Sequence, residues 1–131
     1  MLRKLLMFVA GAFALTLAPV VAEDKTPTVK EIMTKGHKGT DNLMTKVDAA
    51  AKAEKWDDAK TSADLLKTFG EGLGKNKNKK GEADSWKMLT EKYAKNTAAI
   101  ADAVEKKDAK AVSAALGTVG KSCKECHSVH K

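Results

Sequence analysis

From residue 23 onward the chain sets apolar side chains three and four positions apart, the repeat that lines one face of an α-helix. The first such stretch runs Val29, Ile32, Met33, Gly36, Leu43, Met44, Val47 and Ala51. It opens at Thr26-Pro27 or at Thr28, and Thr28 and Glu31 have the spacing of a capping box. Gly36 and Gly39 interrupt it, each costing about 1 kcal/mol relative to alanine inside a helix. Two accounts stay open: a kink or break near residue 39, or a missing side chain that lets a flat group approach the backbone.

A second stretch, with Asp57 or Asp58 as cap, carries Ala59, Ala63, Leu66, Phe69, Gly70 and Leu73 and stops at Gly72-Leu73-Gly74. The third, capped by Asp84 or Ser85, carries Trp86, Leu89, Tyr93, Thr97, Ile100 and Val104. The fourth begins at Asp108 and aligns Val112, Leu116, Val119, Cys123, Cys126 and His127. No strand-like alternation is present. Four amphipathic helices with short connections predict an all-α protein, an antiparallel up-down-up-down four-helix bundle.

Residues 1–22 read differently. Arg3 and Lys4 precede an apolar run from Leu5 to Leu17, Pro19 ends it, and Val20-Val21-Ala22 offers small residues before Glu23. This is the pattern of a cleavable export signal, too short for a comfortable membrane span. The expected domain is therefore residues 23–131, with no stable membrane anchor and a periplasmic location. Without Arg3 and Lys4, 22 basic residues face 17 acidic ones, a net charge of +5. The basic residues are nearly all lysine, interleaved with acids. Nucleic-acid binding, which favours a basic stripe with arginine and aromatic residues, is not expected. One basic run stands out, KNKNKKG at 75–81, read either as a solvated loop or as a docking site for an acidic partner.

The chemistry lies near the C-terminus, in Cys123-Lys124-Glu125-Cys126-His127. Two thiols at i and i+3 share a helix face and can reach the two vinyl groups on one edge of a porphyrin. The imidazole that follows can reach the iron, and the spacing is the one used for covalent haem attachment. A thioredoxin-like pair would need a βαβ pattern. A zinc site built from Cys123, Cys126, His127 and His130 would draw all its ligands from one element, which structural zinc sites seldom do. No catalytic triad, phosphate-cradling glycine loop or acid–base pair is visible, so an enzyme is not expected.

An export signal, four helices and a CxxCH motif on the last helix resemble the class II c-type cytochromes, the cytochrome c-prime family. The resemblance implies one haem c, with Cys123 and Cys126 as thioether residues and His127 as proximal ligand. His130 departs from the family, which often has an aromatic residue there. Some members of the family leave the distal side of the iron open and bind nitric oxide or other small gases. Others place a methionine of the first helix on the iron and carry electrons. Met33, level with the attachment site and followed by Gly36, is the expected distal ligand, with His37 as runner-up. Met44 lies too far along, Met88 faces solvent, and His130 belongs to the proximal helix. Trp86 is expected against the haem, whereas Phe69, Leu89 and Tyr93 are expected as ordinary core. The implied function is single-electron transfer with redox partner proteins, the alternative being five-coordinate gas binding. The resemblance also allows a homodimer through the first helices. Without its cofactor the chain should show an opening between the first helix and residues 123–127.

Overall fold

The computed structural model describes residues 25–131; the expected signal peptide at 1–22 lies outside the described residues. Five helices follow in order: α1 (Val29–Gly36), α2 (Leu43–Lys52), α3 (Trp56–Leu73), α4 (Ala83–Glu105) and α5 (Ala109–His130). The first apolar stretch is therefore two helices, and the break is local chemistry. After α1 the His37 and Lys38 amides both donate to the Met33 carbonyl, and Gly39 takes a left-handed φ of +76° that a glycine adopts without strain. Asn42 restarts the chain. Its carboxamide oxygen accepts from the Thr45 amide (2.9 Å), while its NH₂ donates back to the Gly39 carbonyl (2.7 Å).

The other ends show which caps the chain uses. Thr28 and Glu31 form the full capping box, and Asp108 caps α5 by accepting from the Ala111 amide at 3.1 Å. The caps expected for the two middle helices are corrected. Lys55 and Glu82 occupy the N-cap positions of α3 and α4, neither with a side-chain cap. Asp57, Asp58 and Asp84 instead sit in first turns, where a carboxylate still meets the positive end of the helix dipole.

α2, α3, α4 and α5 form the bundle. Successive helices pack side by side and α2 meets α5 to close the ring. The short turns at 53–55 and 106–108 make these neighbours antiparallel. Ile32, Val47, Leu66, Ile100, Val104, Val112 and Val119 are fully buried. α3 and α4 approach so closely at Gly70 that a Cβ there would run into the Thr97 hydroxyl. That hydroxyl is turned back onto its own helix, donating to the Tyr93 and Ala94 carbonyls. α1 lies outside the ring against α3 and α2. It is held by Ile32, whose complete burial contributes about 2 kcal/mol.

This up-down order brings α1, the end of α3, the 74–82 loop, the start of α4 and the end of α5 to one end of the molecule. The 53–55 and 106–108 turns close the other. Among the described residues no helix is long and apolar enough to cross a membrane.

Candidate functional site

On α5 the buried stripe ends at Val119. Cys123 and Cys126 continue it half-buried, both as free thiols, and His127 is exposed. The core stops there because α1 is only 8 residues long and does not cover α5. Two adjoining openings result, both lined by Met33, His37, Leu73, Cys126 and His127. The smaller, ≈ 40 Å³, adds Cys123, Ser122, Leu89 and Tyr93. The larger, ≈ 440 Å³, adds Val29, Trp86, His130 and Lys131. Lys92 and Glu125 also line the smaller one and bridge it from α4 to α5 at 2.7 Å.

The environment sets the chemistry of each group. Burial, and then the neighbouring Cys123 sulfur, push the Cys126 thiol up, so it stays protonated in neutral solution. His37 Nε2 lies 2.6 Å from the Tyr93 hydroxyl, and the rings meet edge to face at 5.6 Å. Burial, then the proximity of His127, push the His37 pKa down. Burial, then Cys123, push the Tyr93 phenol far up. Both rings are therefore neutral near neutral pH. Trp86 is fixed by its indole N–H, which donates to the Asn76 carbonyl at 2.8 Å.

His130 takes no part in a four-ligand zinc cluster. Among the described residues no group of three or more histidine, cysteine or acidic side chains is arranged to hold a metal ion. Its Nδ1–H donates to the Lys80 carbonyl at 2.6 Å, which leaves Nε2 to accept from the Ser85 hydroxyl at 3.0 Å. The ring packs edge-on against Trp86, centroids 5.3 Å apart, and so fills the place of an aromatic side chain. Gly81 permits this, because a Cβ there would come within 2.6 Å of the imidazole.

Of the residues expected at the site, Met33, His37, Trp86, Cys123, Cys126 and His127 are brought together. Gly36 is not. It is buried towards α3, where a Cβ would meet Leu66 and Phe69 at 3.7 Å, so it leaves no space beside the opening. Phe69 is core, as expected, but Leu89 and Tyr93 line the opening. Met44 packs on the core outside both openings, and Met88 is 63% exposed. Two contributors have no motif to mark them in the sequence: Asn76, which holds Trp86, and Tyr93, which meets His37. Their roles depend on chain segments brought together only by folding.

Against known families, residues 42–131 match Cytochrome C'. The chain belongs to the Cytochrome C' family. No curated protein and no solved structure matches it significantly. Cytochrome C' proteins are non-enzymatic haem proteins built on a four-helix bundle, and they bind haem c covalently. Cys123 and Cys126 agree with the CxxCH attachment pattern. The match spans α2 to α5, the four helices that form the ring, and leaves out α1 with Met33 and His37. The residues present fit the group. Two free thiols on one helix face and an exposed imidazole stand along one wall of the two adjoining openings, whose other walls are mostly apolar.

Proposed function

We propose that this Cytochrome C' protein is a periplasmic one-electron carrier in which His127 and Met33 would hold the haem iron. The observation that carries the reading is that Met33 lines both openings together with Cys126 and His127, and no other methionine among the described residues does. Met33 also has no polar partner to give up, whereas His37 is engaged by the Tyr93 hydroxyl. The haem supplies the one-electron couple of its iron. The chain's own residues set its surroundings. Cys123 and Cys126 tether it, and a thioether ligand favours the reduced state and raises the potential. Val29, Leu73, Leu89 and Trp86 exclude water from the pocket, with Trp86 held in place by the Asn76 carbonyl. The export-signal pattern of residues 1–22 supports the periplasmic location.

The test is the ferric visible spectrum of the loaded protein. Wild type should be low-spin, and Met33→Ala should make it high-spin and remove the sulfur-to-iron band at the red end. If Met33→Ala changes nothing while His37→Ala does, the distal ligand is His37. A wild-type spectrum that is already high-spin and shifts with nitric oxide would identify a gas-binding protein instead.

A further inference from the structure

The run KNKNKKG at 75–81 connects α3 to α4 beside the larger opening, and its alternation has a structural meaning. The asparagines are half-buried and the lysines exposed. Asn76 donates to the Pro27 carbonyl at 3.0 Å and to the Gly72 carbonyl at 3.1 Å, tying the loop to the approach to α1 and to the last turn of α3. Asn78 donates to the Gly81 carbonyl at 2.7 Å and closes the loop on itself. The Asn76 carbonyl accepts from Trp86 and the Lys80 carbonyl from His130. Two residues lining the opening thus hold this loop. With its backbone engaged inward, the loop directs Lys75, Lys77, Lys79 and Lys80 outward.

None of these four lysines forms an ion pair among the described residues. Lys38 and Lys131, which line the larger opening, are likewise without one. Residues 36–41, 74–84 and 127–131, all at this end, carry six lysines against three acidic side chains. Residues 53–58 and 105–110, at the far end, carry four lysines against five. The surplus of positive charge is therefore local, and it rims the opening.

We infer that the 75–80 loop, with Lys38 and Lys131, is a preformed docking face for the acidic surface of a partner protein. That this partner exchanges electrons rests on the electron-carrier reading above. Fixed unpaired charges at the mouth of the site steer an oppositely charged partner and orient it there. The hydrogen-bonded backbone lowers the ordering cost of binding. An anionic membrane is the weaker fit, because the loop carries no apolar side chain to insert.

The test uses isotope-labelled, haem-loaded protein titrated with a polyglutamate peptide and, separately, with phosphatidylglycerol vesicles. Two variants carry the same charge change: Lys75→Glu/Lys77→Glu/Lys79→Glu in the loop and Lys106→Glu/Lys107→Glu/Lys110→Glu at the far end. At low salt the loop variant should bind the peptide about tenfold more weakly than the far-end variant, with wild-type resonance shifts centred on residues 75–81. Asn78→Ala, which keeps every charge, should also weaken binding. Equal losses in the two triple variants would overturn the proposal, as would vesicle binding without peptide binding. Unaltered affinity in Asn78→Ala would overturn the preformed character of the face. Peptide binding is read without electron transfer. A high-spin, gas-binding protein that still bound the peptide through this loop would remove the electron-carrier reading and keep the docking face.

Discussion

At position 37 an imidazole sits half-buried against the Tyr93 phenol, and its chemistry follows from that position. A hydroxyl can donate to a neutral ring or accept from a charged one, so the 2.6 Å hydrogen bond favours neither state strongly. Burial decides, with His127 adding to it, and the folded pKa lies below the ordinary 6.5. Above pH 6.5 the ring is neutral in both the folded and unfolded chain and contributes no pH dependence. As pH falls below 6.5 the unfolded chain takes up a proton that the folded chain resists, so stability drops until the folded pKa is passed. In the cofactor-free variant Cys123→Ser/Cys126→Ser, urea midpoints should fall through this window. Adding His37→Gln should flatten that slope, and a slope that persists would assign the effect elsewhere.

Among the elements, α1 is the least self-sufficient. Its 8 residues fall short of the ~12–15 that an isolated helix needs to be even marginally stable in water. It persists because Thr28 caps it, Ile32 is buried, and Asn42 organises the turn behind it. Asn42 is only 6% exposed and its side chain serves both as the cap of α2 and as the brace of the preceding carbonyls. Asn42→Ala should destabilise the protein by about 2 kcal/mol, from the lost cap and the carbonyls left without a donor. Asn42→Asp keeps the acceptor and loses the donors, so it should fall between the two. Denaturant titration of the three proteins measures this. The ordering wild type, Asp, Ala would be lost if Asn42 acted through the cap alone, because Asp would then match wild type.

Over the whole molecule, stability is uneven by construction. The ring of α2 to α5 buries the core, whereas the site end is an opening of ≈ 440 Å³, so contact density is low where the cofactor belongs. In the cofactor-free protein, amide hydrogen exchange should be fast in α1 and in the last two turns of α5 and slowest around Leu66, Ile100 and Val104. Loading should slow exchange in α1 and at the end of α5 far more than in the α3–α4 core. Uniform slowing across all five helices would mean that the site end is already as well packed as the core.

The helical repeat was enough to determine the bundle, because a buried face three to four residues apart has few ways to be covered. The CxxCH spacing likewise marked the cofactor, since attachment chemistry is local to five residues of one helix. Thr28 with Glu31, and Asp108, were legible as caps for the same reason: each acts within one turn. Only the tertiary structure decided the rest. Gly36 faces α3, not the opening, because the orientation of α1 is set by Ile32 and by the turn at Gly39. Lys55 and Glu82 start their helices despite nearby aspartates, since the preceding turns fix where each helix begins. Tyr93 meets His37 across 56 positions, and His130 reaches the Lys80 carbonyl across 50. No periodicity encodes such pairings. They arise when an up-down chain brings the ends of its helices together, and there the charged loop, the opening and the thiols become one face.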